Sequence, residues 1–316
     1  MSNRLDRVQL RRLWEQALAE DGADHDVTAL CAVNERAAGS GAVVARQAGV
    51  FAGRAVLDLL KEACASRLTT APQVDDGAAL KPGTVIARVA GPLRDLLSIE
   101  RTLLNFLQRL CGVATLTRAY VEAVAGTGAK ILDTRKTVPG WRQLDKYAVR
   151  CGGGTNHRAG LHDAILVKDN HLAGVEPHRL AEKAAEVLAR AAGLDPPPAF
   201  VEFEADSLEQ FEALLKVTGI DVILLDNFTP AQMRQAVALR DALGLKGRLR
   251  LEASGGVNLD TVRAIAESGV DYISVGALTH SAPAVDIALD LDSDADSCQR
   301  GVNPAAGSGT WPNRRT

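Results

Sequence analysis

The sequence has no uninterrupted apolar stretch near the roughly 18 residues that a membrane-spanning helix needs, which excludes an integral helical membrane protein. Its first 21 residues form a charged amphipathic segment without the apolar centre of a secretory signal, so a cytoplasmic protein is expected. Cysteine is sparse. The five residues Cys31, Cys64, Cys111, Cys151 and Cys298 are scattered without C-x-x-C spacing, which argues against a disulfide framework and a zinc site. Net charge is also nearly absent. At -3 over 316 residues the chain has no general attraction for nucleic acid or for an anionic membrane, and neither is expected as a partner. Any strongly charged site must therefore be a local cluster. No internal repeat is present beyond a strand-and-helix rhythm.

What is present is ordinary globular material, 47% hydrophobic and 24% charged, enough for one large or two moderate domains. Leu5, Val8, Leu13, Ala17 and Leu18 stand at helical spacing among charged residues and predict an amphipathic first helix. From Gly41 to Gly91, β-prone runs (42–45 and 84–89) flank a helical stretch at 56–65 among Gly and Pro turns, the pattern of a small α+β domain. A long helix is expected from Leu93. Its stripe of Ile99, Leu103, Phe106, Leu107, Leu110 and Ala114 faces a core, leaving Arg101, Asn105 and Gln108 toward water or a partner.

Beyond Gly126 six short apolar runs recur every 20 to 36 residues, at 130–132, 164–167, 200–203, 222–225, 249–251 and 272–275. That rhythm predicts βα units in a parallel sheet or barrel, with near-continuous apolar strands buried on both faces. The expected domains are an N-terminal helix and α/β sandwich (1–118), an α/β barrel (119–291) and a disordered tail (292–316) too polar to bury a core.

Each apolar run ends in a charged or glycine-rich group, and in a βα barrel that end is the catalytic rim. After the first comes D-T-R-K-T-V-P-G-W-R, where Arg135 offers a planar fork for a carboxylate or phosphate and Lys136 a compact point charge. Alone, it reads more readily as a basic surface loop. The loop C-G-G-G-T-N-H-R adds three glycines that let backbone approach a ligand, then His157 and Arg158 as donors. Lys168 ends the next run and suits either an anion ligand or a Schiff-base nucleophile. His157, His162 and His171 lack metal-ligand spacing. Glu204 and Asp226, ending successive strands, fit Mg²⁺ or sugar hydroxyls beside phosphates, or a hydrolase acid/base pair. Ser254-Gly255-Gly256 with Gly276, before a helix expected at 259–268 with Asn258 as N-cap, suggests a phosphate cradle.

The strings E-R-T-L-L-N-F, D-T-R-K-T-V-P-G, G-G-G-T-N-H-R, K-D-N-H, V-E-F-E, L-L-D-N-F and E-A-S-G-G-V, in this order between about Asp24 and Leu291, closely resemble the quinolinate phosphoribosyltransferase family. The resemblance implies a small α/β sandwich beside an incomplete TIM-like α/β barrel of seven strands, one of them unplaced by the six runs. It also implies phosphoribosyl transfer from phosphoribosyl pyrophosphate to quinolinate with loss of carbon dioxide, in a dimer whose sites are shared. By matching positions, quinolinate would be held by Arg135, His157, Arg158 and Lys168, with Arg101 from a neighbouring subunit. Lys136, Glu204 and Asp226 would serve phosphoribosyl pyrophosphate, Glu204 and Asp226 also holding Mg²⁺, Ser254, Gly255, Gly256 and Gly276 would surround the phosphate, and Thr137 would be a further substrate-binding residue. Lys136, Lys168, Glu204 and Asp226 are the expected catalytic residues. Three other readings compete: a phosphoribosyltransferase for a related heteroaromatic acid without decarboxylation, a Schiff-base aldolase using Lys168, and a non-catalytic anion-binding protein of the same fold.

Overall fold

The structure, a computed structural model, describes residues 5–63 and 67–292. From the N-terminus come helices α1 (Arg7–Asp21) and α2 (Val27–Ala32), strands β1 (Ala38–Ala45) and β2 (Gly49–Val50) and helix α3 (Arg54–Ala63). Strands β3 (Thr69–Pro72), β4 (Ala79–Leu80) and β5 (Val85–Pro92) precede the 31-residue helix α4 (Leu93–Ala123). Next are β6 (Lys130–Leu132), α5 (Arg142–Cys151), β7 (Ile165–Val167), α6 (Leu180–Ala191), β8 (Val201–Ala205), α7 (Leu208–Leu215) and β9 (Val222–Asp226). The remainder is α8 (Pro230–Ala242), β10 (Arg250–Ser254), α9 (Val262–Ala266), β11 (Tyr272–Ser274), α10 (Ala277–His280) and β12 (Ile287–Leu291). Among the described residues no helix is long and apolar enough to cross a membrane.

The chain divides into two compact units, and the cut differs from the single boundary expected after residue 118. Of the described residues, one unit takes those within 5–116, 143–152 and 282–292; the other takes 117–142 and 153–281. The reason is strand pairing. β12, expected in the barrel, lies antiparallel to β1 at the edge of a sheet ordered β12-β1-β5-β3, and α5 pairs Asp145 with Arg109 of α4 at 3.1 Å. Asp292 continues this edge, its N–H donating to the Ser40 carbonyl at 2.8 Å; the rest of the expected tail lies outside the described residues. Helix α1 buries Leu10 and Trp14 while Val8 is exposed, so the apolar stripe is displaced from the one expected. The α4 stripe, by contrast, is buried at all six expected positions. Arg101 and Asn105 are exposed on it, but Gln108 is not free: its amide donates to the Ile287 carbonyl at 2.8 Å.

The second unit is built on a six-stranded, wholly parallel sheet ordered β6-β11-β10-β9-β8-β7. Its strands are the six apolar runs, and neighbours in sequence are neighbours in the sheet, except that the first pairs with the last instead of the second. That is the order of an incomplete barrel. The unplaced seventh strand survives as a single parallel bridge from Thr155 to Leu132, on the free side of β6. The helix expected at 259–268 is shorter, Val262–Ala266. Asn258 explains the difference: its side-chain oxygen accepts from the N–H of Asp260 and Thr261, and its own N–H donates to Thr261 Oγ1, holding 258–261 as a turn.

Candidate active site

Alternation along a strand sends successive side chains to opposite faces, and paired residues of parallel strands share a face. In V-E-F-E-A this turns Val201, Phe203 and Ala205 to one side and Glu202 and Glu204 to the other. The same face carries Asp226 of β9, Glu252 and Ser254 of β10 and Ser274 of β11. The strands are buried on both faces, as expected, but on this face acids are buried beside the apolar Val222 and Leu224. Two tiers result. Glu202 and Glu252 are buried within the strands, Ser274 Oγ donating to Glu252 from the end of β11; Glu204, Asp226 and Ser254 stand at or next to the carboxyl ends.

The cations come from the two loops beside β6. Asp133, fully buried, accepts from the His157 N–H at 2.8 Å and from Asn156 Nδ2 at 2.6 Å, which folds T-N-H-R against the end of β6. Arg158 is thereby buried, with Nη1 donating to the Ala164 carbonyl at 3.3 Å. Burial first, and then the like charge of Arg135, hold its guanidinium below the usual arginine range. Arg135 is half-buried, and its Nε is buried without a hydrogen-bond partner among the described residues. Two guanidiniums close enough to repel, one with an unsatisfied buried N–H, form a site suited to an anion.

Lys136 is exposed and lies across Gly276, where an added Cβ would come 3.1 Å from the lysine Cδ; its carbonyl accepts from Thr279 Oγ1 at 2.8 Å. Thr137 accepts from Arg142 Nε at 3.2 Å. The histidine is placed differently from its neighbours. His157 Nε2 lies 3.0 Å from Glu202 and 3.4 Å from Glu252, inside the lower tier.

On the upper tier Lys168 Nζ is ion-paired with Glu204. Glu204, Asp206 and Asp226 bring carboxylate oxygens within 4.8 Å of one another. Burial first, opposed by the Lys168 charge, raises Asp226 above the ordinary aspartate range, with Asp206 adding to the rise. Three hard oxygen donors so close fit a divalent cation such as Mg²⁺. Asp206 is a member of this acid cluster that the sequence reading missed. Its signal was present as a third acid two residues past Glu204, but it falls beyond the strand end that marks the rim. A cavity of about 120 Å³ lined by Glu204, Asp206, Asp169 and Gln210 opens beside the cluster. Asp226 is steadied by Asn227 Nδ2 at 2.7 Å, and Asn227 takes a left-handed backbone with its N–H on the Ser254 carbonyl at 2.9 Å. Gly255 is required here: its φ is +98°, and a Cβ would sit 2.1 Å from Asn227 Oδ1.

Of the residues expected at the site, the structure thus brings together Arg135 with Arg158 and Lys168 with Glu204 and Asp226. Ser254 and Asp226 are register partners on adjacent strands. Arg101 stands exposed on α4, in the other unit.

Residues 26–111 match the N-terminal domain of quinolinate phosphoribosyl transferase and residues 113–290 its C-terminal domain. A nicotinate-nucleotide pyrophosphorylase [carboxylating] from Mycobacterium leprae is 44% identical over 268 residues, 84% of this chain and 91% of the relative. A probable one from Bacillus subtilis is 38% identical over 303 residues, covering 93% and 98%. The solved nicotinate-nucleotide pyrophosphorylase from Francisella tularensis superposes with a TM-score of 0.81 at 33% identity, covering 92% of this chain and 98% of that one. With both domain models matched in order and relatives of this similarity along nearly the whole length, the chain belongs to the quinolinate phosphoribosyltransferase family.

Proposed function

We propose that the chain transfers the phosphoribosyl group of phosphoribosyl pyrophosphate to the ring nitrogen of quinolinate and releases carbon dioxide, giving nicotinate mononucleotide and pyrophosphate for NAD synthesis. The observation that carries this is the pair Arg135 and Arg158, two cations withdrawn from water within repelling distance of each other, neither in an ion pair among the described residues. Quinolinate has two adjacent carboxylates, and two guanidinium forks are their natural partners. Even charge and dispersed cysteines fit a cytoplasmic enzyme.

The chemistry asks little of the protein beyond placement and charge. The pyridine nitrogen brings its own lone pair, so the N–C1 bond forms as the C1–O bond to pyrophosphate breaks, with no general base. Pyrophosphate leaves with the bonding electrons, and Lys136 and Lys168 offer positive charge there. Glu204 and Asp226, with Asp206, would hold Mg²⁺, which when bound supplies charge neutralisation to the departing pyrophosphate. The ribosylated nitrogen is then cationic, so the bond from C2 to its carboxylate can break with the electrons left on C2, which takes a proton from water. A Schiff-base role for Lys168 fits less well, since its amine is tied to Glu204.

The test is direct. Quinolinate labelled in the C2 carboxylate, incubated with phosphoribosyl pyrophosphate and Mg²⁺, should yield mononucleotide and labelled carbon dioxide in equal amounts. Mononucleotide without carbon dioxide would mean a transferase for a related acid, and neither product would end the proposal.

The exposed Arg101 is read as completing the site of a second copy in a homodimer. Arg101→Ala and Lys168→Ala proteins should each be nearly inactive, and mixing them after mild dissociation should restore activity toward about a quarter of wild type, the share of intact sites under random pairing. A mixture as inactive as its parts would place Arg101 outside any shared site.

A further inference from the structure

Both nitrogens of the His157 ring are engaged inside the protein. On one side Nε2 lies 3.0 Å from Glu202 and 3.4 Å from Glu252, whose side chains are 0% and 2% exposed. On the other, Nδ1 accepts the backbone N–H of Arg158 at 2.8 Å. The ring also meets Phe200 edge-on, with centroids 5.4 Å apart. Neither oxygen of Glu202 has a hydrogen-bond partner of regular geometry among the described residues, so the close approach of the imidazole is what offsets its burial.

The bond at Nδ1 decides what sits at Nε2. An Nδ1 that accepts is unprotonated, so the ring carries its proton on Nε2, aimed at the two carboxylates. Burial opposes a second proton on the ring, while the hydrogen bonds and charges of Glu202 and Glu252 favour it. The Arg158 N–H settles the matter by occupying the lone pair that this proton would need. The ligand atoms of His157, Glu202 and Glu252 lie within 4.8 Å of one another, close enough for a metal ion. An ion on Nε2 would leave an imidazolate, or force an Nδ1–H against the N–H of Arg158. The geometry favours a proton. Glu252 is in turn held by the Ser274 hydroxyl, so the trio is anchored in three strands, β8, β10 and β11.

We infer that His157, Glu202 and Glu252 form a positioning unit for Arg158, and that His157 holds quinolinate in place without touching it. The Nε2 proton ties the loop to β8 and β10, Nδ1 fixes the Arg158 backbone, and the guanidinium, anchored at the Ala164 carbonyl, is thereby held beside Arg135. This rests on the dicarboxylate reading of the site and replaces the direct contact that family resemblance implies for the histidine.

The wild-type enzyme must first make nicotinate mononucleotide; if it does not, the underlying reading fails, whatever the variants do. Ring ¹⁵N chemical shifts of His157 should then report the neutral Nε2–H form, unchanged when quinolinate is added. Loss of the Nε2–H form on titrating quinolinate, or a scalar coupling between a ring nitrogen and the bound ligand, would establish direct contact and overturn the inference, and this readout needs no variant to fold. Glu202→Gln and Glu252→Gln should each raise the KM for quinolinate about tenfold, with that for phosphoribosyl pyrophosphate within about twofold. His157→Gln, which keeps a donor for the two carboxylates, should recover most of the quinolinate affinity lost in His157→Ala. If both KM values move together, or only thermal stability changes, the trio is structural and the inference falls.

Discussion

Arg135→Ala should weaken quinolinate binding at least tenfold while leaving the unliganded protein no less stable than wild type. The loss comes from removing a charge-assisted, two-pronged contact, worth about 1.5–3 kcal/mol, or roughly 10- to 150-fold in Kd. The unchanged stability is the more discriminating half. In the unliganded protein Arg135 keeps a buried Nε with no hydrogen-bond partner among the described residues, and its charge depresses that of the buried Arg158. Both features oppose folding, and both disappear with the side chain. Binding sites commonly keep such strain because the ligand relieves it. Calorimetric titration with quinolinate and thermal unfolding of the empty protein check the two halves. A variant that unfolds several degrees earlier would make Arg135 a structural residue. Arg135→Lys should recover charge without the fork, and so only part of the affinity.

The two halves of this prediction depend on different kinds of information, and the sequence carried only one of them. That Arg135 and Lys136 stand on the rim was legible because buried parallel strands are short apolar runs, and the residues just past each run must lie at one end of the sheet. The six runs located the six strands to within a few residues for the same reason. The seventh was not legible: a strand reduced to one bridge at Thr155, just after three glycines, has no apolar run to announce it. Nor was the place of β12 legible. Its five residues read like any short strand, and only pairing with β1, at the far end of the chain, shows which sheet it joins.

At the site the limit was direction rather than position. In V-E-F-E the second glutamate stands out as a strand-end charge, yet its alternate Glu202, on the same face and deeper, is the one that meets His157. Glu252 was likewise passed over as the opening letter of a glycine loop. A buried acid leaves no mark in a sequence when its partner comes from another loop, because its compensation exists only in three dimensions. The histidine shows the converse. Standing between a triple glycine and an arginine, it reads as a ligand contact, and only the ring's orientation shows both nitrogens turned inward.

Asp226→Asn should lower kcat/KM for phosphoribosyl pyrophosphate roughly 100- to 1,000-fold, the range for losing one preorganised charge interaction at the reacting group, with quinolinate affinity changed by less than about threefold. Asparagine preserves the volume and can still pair with Asn227, so the turn that carries Gly255 is retained. What it removes is one of three anionic oxygen donors within 4.8 Å, and with it part of the site's claim on a divalent cation. The concentration of Mg²⁺ giving half-maximal rate should therefore rise together with the KM for phosphoribosyl pyrophosphate. Glu204→Gln is the informative contrast. Because Glu204 also pairs with Lys168, neutralising it releases that lysine and should disturb quinolinate as well. If Asp226→Asn turns over normally at low Mg²⁺, the acid cluster is not where the cation binds. If Glu204→Gln spares quinolinate, Lys168 takes no part in holding it.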